Sequence, residues 1–370
     1  MKKRKIAVIG LKGLPAFGGA ASVGENIIEE LKDKYDFTVY AVSSHTDGKT
    51  GKYNGFRQVV FKSLPFKRLN TLYYYIISSI HCFFIGKYDL IHLHHRDAAF
   101  IIPFLKIKYR ILLTLHRFGT FDLSDKWNRF KLYYDLQEHF FVKKANCVTT
   151  MSLEDKKRIK DQIGLEVAYI PNGVVTAKGT GKADYETVQA GYIIFAAGRI
   201  VSFKRCDIFL QALRRMDYEG PVLVVGDLSQ SPSYSNSLKN MAKGLDVSFT
   251  GLIRNRERLL RYYENASLFV FPSAREAMSM VLLEVASVKT PLICSNIPGN
   301  TNVFEKGEVL YFQKDDIDDL SRKISWALTH PEEMEKMANR AYQKLLSNYA
   351  WDKISKEYSY YYKLLSTDES

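Results

Sequence analysis

With 370 residues, 46% of them hydrophobic and 25% charged, the chain is longer than one hydrophobic core usually serves, and two domains are expected. Its net charge of +13 is one-sided, because residues 1–173 hold 28 Lys and Arg against 16 Asp and Glu while the remainder holds 25 against 24. Four scattered cysteines (Cys82, Cys147, Cys206, Cys294) without a C-x-x-C pair argue against a disulfide frame and a structural zinc, and the start MKKRKIAVIG is too short in apolar residues for a secretory leader, so a cytoplasmic protein is expected. A field concentrated in one half faces a polyanion, and an anionic membrane surface or a phosphorylated substrate is expected there rather than nucleic acid.

Strand-length apolar runs alternate with helix-length amphipathic stretches, the pattern of βα units on a parallel sheet. In chain order the spacing predicts strands at 5–10, 37–42, 58–61, 89–94, 110–115, 147–150 and 167–170. A second series follows at 192–197, 222–226, 247–249, 268–271, 291–294 and 309–312. The polar stretch VVTAKGTGKADYETVQAG between them reads as a connection. This gives a domain over 1–175, a linker over 176–189, a second domain over 190–347 and a terminal helix over 348–370. In that helix Trp351, Ile354, Tyr358, Tyr361 and Leu365 recur at helical spacing and need a partner surface.

Candidate chemistry also appears in chain order. The first strand runs into a loop with Gly18 and Gly19, where the absence of a Cβ lets the amides of a helix start approach a phosphate. It is not G-x-G-x-x-G, which disfavours a nicotinamide dehydrogenase. Lys62, Lys67 and Arg68 alternate with Phe61, Leu64, Phe66 and Leu69 ahead of the apolar run 71–86. That run is too short and too polar to span a bilayer, but the combination suits a surface lying among lipid headgroups. An ordinary buried helix with a charged start is the alternative. In IHLHHRD, His92, His94 and His95 suggest a metal, yet nothing completes a tetrahedral set. No metal is therefore expected, and His94 and His95 remain as acceptor contacts.

In the second half, Arg199 stands just past a strand and Lys204 with Arg205 at the start of the next helix, where both sides of a cleft beyond the strand ends could neutralise a diphosphate. Glu276 and Glu284 flank a helix start near Ser279, whose Met280 and Val281 amides would point at an anion. Each carboxylate accepts hydrogen bonds from vicinal hydroxyls. DDIDDL at Asp315–Asp319 opens a helix, where acidic side chains suit the dipole.

Taken together, the E-x7-E at Glu276 and Glu284, the G-R-x4-K at Gly198, Arg199 and Lys204, the Pro171-Asn172-Gly173 turn, the Gly18-Gly19 loop and the T-L-H at His116 resemble the retaining GT-B glycosyltransferases that include bacterial capsule and O-antigen transferases. The resemblance implies two Rossmann-like doubly wound parallel-sheet domains, with the C-terminal helix crossing back to the N-terminal domain. It also implies a nucleotide-diphosphate sugar as co-substrate, UDP before GDP, with no cofactor and no metal. A glycan or polyprenyl-diphosphate-linked acceptor at the cytoplasmic membrane face would receive the sugar. By the same resemblance Glu276 would bind donor-sugar hydroxyls and Glu284 the ribose, while Arg199 and Lys204 would hold the diphosphate. Gly19 would approach it from the other domain, and His116 would contact the sugar near its anomeric carbon. Two departures, Ala277-Met278-Ser279 after Glu276 and Asn302 where relatives often carry glutamate, leave the sugar open. A sugar-nucleotide epimerase and a catalytically silent homologue are the alternatives.

Overall fold

Long runs of Val, Ile, Leu and Phe without polar alternation are what strands covered on both faces require. In the computed structural model, which describes residues 3–16, 19–119, 131–175 and 191–366 but not the side chains of Ala20, Lys67, Arg68 and Lys131, these runs are the centres of two mostly parallel sheets. The strands are β1 Arg4–Lys12, β2 Tyr35–Val42, β3 Gly51–Tyr53, β4 Phe56–Phe61, β5 Leu90–His94, β6 Arg110–Leu115, β7 Cys147–Thr150, β8 Ala168–Tyr169, β9 Tyr192–Arg199, β10 Val222–Asp227, β11 Val247–Gly251, β12 Ala266–Phe271, β13 Leu292–Ser295 and β14 Leu310–Phe312. The helices are α1 Gly19–Leu31, α2 Lys67–Phe84, α3 Ile102–Leu105, α4 Lys131–Leu136, α5 Leu153–Ile163, α6 Cys206–Arg215, α7 Pro232–Met241, α8 Arg256–Glu264, α9 Met280–Ser287, α10 Pro298–Thr301, α11 Ile317–Thr329, α12 Pro331–Asn348 and α13 Trp351–Ser366.

The chain divides into two compact units, one formed by residues 1–172 with 351–370 and one by 173–350. In the first, the sheet order is β3-β4-β2-β1-β5-β6-β7-β8, parallel throughout except for the β3–β4 hairpin. In the second, the order β11-β10-β9-β12-β13-β14 is parallel throughout. Both orders reverse direction beside their first strand, between β1 and β5 and between β9 and β12. Such a switch point opens a crevice beyond the carboxyl ends of the strands, where ligands of doubly wound sheets bind. The fold is therefore the expected pair of Rossmann-like domains.

Helix α2 shows how the apolar run 71–86 is used. Tyr74, Tyr75, Ser78 and Cys82 are buried, one stripe at helical spacing. The Tyr74 hydroxyl accepts from the Gly10 amide at 2.7 Å and donates to the Tyr40 carbonyl at 3.0 Å, tying α2 to β1 and β2. On the other side Leu69, Leu72, Ile76, Ile80 and Phe84 are 55%, 43%, 41%, 43% and 71% exposed. Among the described residues no helix is long and apolar enough to cross a membrane.

The terminal helix α13 belongs to the first unit and packs on α1, β5 and β6. Its buried stripe is Trp351, Ile354, Ser355, Tyr358, Ser359 and Tyr362. The expected stripe is corrected at its end, where Tyr362 rather than Tyr361 turns inward. Three turns at 3.6 residues advance the apolar face by about 11 positions from Trp351, to 362, where a 3-4-3 count stops at 361. Tyr362 donates or accepts at 2.8 Å with His92 Nδ1, and Tyr35 pairs with Ser359 Oγ at 2.8 Å. DDIDDL does open a helix: Asp316 caps α11, accepting from the Asp319 amide at 2.8 Å, which is the structural role expected of it.

Candidate active site

In the second unit β9 ends at Gly198-Arg199, and the chain makes a single 3-10 turn, Ser202–Lys204, before α6. Beside it β12 ends at Phe271, and a loop leads to Ser279, the extended N-cap of α9. The two loops are laced together. The Ala274 amide donates to the Phe203 carbonyl at 2.8 Å, and Lys204 Nζ meets Glu276 Oε1 at 2.5 Å. Ser273 Oγ donates to the same carboxylate oxygen at 2.7 Å. The rings of Phe271 and Phe203 flank the ammonium at 5.2 and 5.5 Å, and only 17% of the Lys204 and 12% of the Glu276 side chain reaches solvent. Charge at this point is thus held in a poorly screened place.

A second layer supports the loop. Ser295 Oγ, at the end of β13, donates to the Ser273 carbonyl at 2.5 Å, and Asn300 Nδ2 donates to the Ser295 carbonyl at 2.9 Å. Gly299 lies so close that a Cβ there would stand 2.2 Å from the Glu276 carbonyl oxygen. Gly198 has open space around it. Arg199 is exposed at the sheet edge beside Asp227, and no described carboxylate lies within ion-pair distance of it. Arg205 is instead paired with Asp207 at 3.3 Å and Asp315 at 2.9 Å.

Met280 and Val281 open α9, where backbone amides have no preceding carbonyl within the helix. Glu284 follows one turn on, between the buried Leu283 and Val285. Burial raises its pKa, and the guanidinium of Arg256, Nη2 3.8 Å from Glu284 Oε1, pulls the other way. The structure therefore brings Lys204 to Glu276 directly and sets Glu284 with a different partner. Ser273, Gly299 and Arg256 are the residues that the motif reading misses. Ser273 carries a faint signal in being three positions before Glu276, whereas Arg256 carries none.

In the first unit, the histidines gather at the carboxyl ends of β5 and β6. His94 Nδ1 and His116 Nε2 are 3.0 Å apart, and His95 lies against the His116 ring at 4.7 Å between centroids. His92 bridges Tyr362 and Thr114 Oγ1, both at 2.8 Å, and its ring stands 4.1 Å from that of His94. His94 is fully buried, so the side chain it meets is His116. Burial pushes the pKa of His92 down to about 3 and that of His95 to about 4, and holds His94 and His116 well below the usual range. Among the described residues no group of three His, Cys, Asp or Glu side chains could hold a metal. Gly19 is the first residue of α1, while Gly18 and the linker 176–189 lie outside the described residues, as do the side chains of Lys67 and Arg68; Lys62 is exposed.

The buried histidines carry a stability consequence. A histidine held neutral in the fold takes up its proton mainly on unfolding, so stability is lost as pH falls below the unfolded value of about 6.5. For His92 and His94, the two that are wholly enclosed, the expected loss is about 1.4 kcal/mol per pH unit each. Melting temperature against pH checks this, and His92→Gln is expected to flatten the slope below pH ~6 whatever it does to stability at neutral pH. A variant slope equal to that of the parent chain would contradict it.

Residues 17–178 match the glycosyltransferase family 4 domain and residues 181–344 the glycosyl transferases group 1 domain. The capsular polysaccharide biosynthesis glycosyltransferase CapM of Staphylococcus aureus is 23% identical over 188 residues, 48% of this chain and 49% of CapM. Matches to the first curated relatives span from about half to two thirds of those proteins. Among solved structures, sucrose-phosphate synthase from Thermosynechococcus elongatus superposes with a TM-score of 0.84 at 19% identity over 98% of this chain and 99% of that one. HepE from Anabaena, in complex with UDP and glucose, gives 0.74 at 17% identity over 98% and 100%. Two family domains in tandem, on two parallel sheets of the matching architecture, make this chain a member of the glycosyltransferase family 4 and group 1 proteins of GT-B fold.

Proposed function

We propose that the protein is a retaining, metal-independent glycosyltransferase that moves a hexosyl group from a nucleotide-diphosphate sugar, a UDP-sugar before a GDP-sugar, to a glycan or polyprenyl-diphosphate-linked acceptor in capsule, O-antigen or exopolysaccharide synthesis. The observation that carries the reading is the Lys204–Glu276–Ser273 constellation at the switch point of the second sheet, one loop away from the unpaired amides that open α9. It sets a cation and amides for phosphates beside a carboxylate for sugar hydroxyls. The UDP in the HepE complex supports the choice of nucleotide, and the part of CapM in capsular polysaccharide biosynthesis supports the pathway.

In the proposed reaction the acceptor oxygen bonds to the anomeric carbon on the face from which the phosphate departs. The bond from that carbon to the phosphate oxygen breaks, and the acceptor proton passes to the leaving phosphate. Negative charge grows on the diphosphate, and in this reading Arg199, Lys204 and the Met280 and Val281 amides stabilise it. Glu276 orients the sugar by accepting from its hydroxyls, and Glu284 accepts from the ribose. Gly18, Gly19, Gly198, Ser279 and His116 complete the proposed donor contacts. His116 serves as a neutral positioning group, since its depressed pKa makes it a weak base. His95 is the acceptor contact that remains partly accessible.

Incubating the full chain with a panel of nucleotide sugars tests the reading. Slow release of nucleoside diphosphate and a product of unchanged anomeric configuration are expected. An altered sugar would make it an epimerase, binding without release a silent homologue, and an inverted product would remove the front-face mechanism.

The acceptor is proposed to lie in a membrane, and α2 supplies the support. Its exposed stripe from Leu69 to Phe84 starts beside the basic Lys62, Lys67 and Arg68, in the half of the chain that holds the positive excess. An apolar face preceded in sequence by basic residues suits the headgroup region of anionic lipid. Sedimentation with phosphatidylglycerol vesicles is expected to exceed that with neutral ones. It should fall by roughly tenfold or more in Ile80→Asp/Phe84→Asp, because each apolar side chain contributes on the order of 1.5–3 kcal/mol when buried. Equal binding by the variant would contradict membrane docking through α2.

A further inference from the structure

Arg256 is the first residue of α8, whose cap is Asn255, its Oδ1 accepting from the Arg258 amide at 2.8 Å. The guanidinium is thereby aimed at α9, and its Nη2 stops 3.8 Å from Glu284 Oε1. That is ion-pair distance but too long for a hydrogen bond. The Nη2 atom is enclosed and makes no hydrogen bond among the described residues, which is costly for a charged donor. The facing carboxylate is likewise bound by no hydrogen bond that the structure shows. A separation of 3.8 Å is the base of a triangle whose apex can hold one oxygen about 2.8 Å from both groups. A hydroxyl is the group that fits such an apex, because it donates to the carboxylate and accepts from the guanidinium at once. An amine or a carbonyl could satisfy only one side.

We propose that Arg256 is a specificity-determining residue for the donor: with Glu284 it brackets one ribose hydroxyl, so that the enzyme selects ribonucleotides over deoxyribonucleotides. The proposal rests on the reading of Glu284 as the ribose ligand and adds the second half of that contact. It also gives the ion pair a purpose. Arg256 opposes the upward push of burial on the Glu284 carboxyl, and so preserves the acceptor that the hydroxyl needs.

Calorimetric titration of the full chain with UDP, 2′-deoxy-UDP and 3′-deoxy-UDP tests this, with the guanosine series in parallel. The parent chain is expected to prefer the ribonucleotide over one of the two deoxy forms by roughly tenfold, the scale of one charge-assisted hydrogen bond. Arg256→Gln is expected to bind the ribonucleotide roughly tenfold more weakly and to lose that preference. Its affinity should also begin to fall at a higher pH than the parent's as pH is lowered, since the push of burial on the carboxyl is then unopposed. Arg256→Lys keeps the charge without the fork and should lose the preference while retaining the parent's pH response. The double variant with Glu284→Gln should be no weaker than Glu284→Gln alone, because either change dismantles the same bracket.

Parent-like affinity and preference in Arg256→Gln would overturn the proposal, as would losses that add in the double variant. Parent-like affinity in Glu284→Gln would remove the reading of Glu284 itself, and the bracket with it. A preference lost in Arg256→Gln but intact in Glu284→Gln would overturn the bracket alone. Melting curves of each variant establish that it is folded, and Arg256→Lys serves if Arg256→Gln is not.

Discussion

Lys204→Ala is expected to lower turnover by roughly 10²–10³-fold, the effect of removing one preorganised group that stabilises charge in a transition state. The reason lies in where the ammonium sits. It is largely enclosed, lies between the Phe203 and Phe271 rings and is fixed by Glu276, so it needs no reorganisation when charge develops on a departing diphosphate. Removing it also leaves the Glu276 carboxylate with only the Ser273 hydroxyl as partner among the described residues, in a place where an unpaired charge is costly. Both consequences act on the reacting complex. The fall should therefore appear chiefly in kcat, with a smaller change in KM for the donor. Unchanged turnover in a folded Lys204→Ala protein would contradict the role given to this residue.

Gly299→Ala is the second large effect. A Cβ at this position would meet the Glu276 carbonyl oxygen at 2.2 Å and its carbonyl carbon at 2.7 Å. Both are backbone atoms and cannot rotate aside, so the loop carrying Glu276 must move. A shift of about 1 Å in a positioning group costs on the order of 100-fold in rate. The overpacking itself is expected to cost about 1–3 kcal/mol of stability. Paired measurements of kcat and melting temperature separate the two. A protein with parental turnover would show that the contact between α10 and the Glu276 loop does not set the site.

Much of this architecture is legible in the sequence because both sheets are parallel and buried, which writes each strand as an uninterrupted apolar run. Thirteen of the fourteen described strands are read this way. The missed one, β3, has three residues, too few for any periodicity. The signal that finds it is the turn: Asn54-Gly55 between Tyr53 and Phe56 is a hairpin dipeptide, and Gly55 takes the positive φ of 82° that such a turn requires.

The site is legible in part for a different reason. Arg199 ends β9, Lys204 and Glu276 lie on the short segments after β9 and β12, and Glu284 sits one turn into α9, so fixed spacings place them near one crevice. What spacing does not convey is pairing across elements. The contact of Lys204 with Glu276 joins residues 72 positions apart, and that of Arg256 with Glu284 joins α8 to α9. His94 shows the same limit from the other direction. On a strand it shares a face with His92, but only the neighbouring β6 reveals that its partner is His116.

The central claim is that the switch-point crevice of the second sheet receives a nucleotide diphosphate. A crystal structure of the full chain grown with UDP tests it most directly. The account predicts diphosphate oxygens within hydrogen-bond reach of Lys204 Nζ, Arg199 and the Met280 and Val281 amides, with the ribose at Glu284. A nucleotide seated elsewhere on the chain, leaving Lys204 and Glu276 joined to each other and untouched, would contradict it.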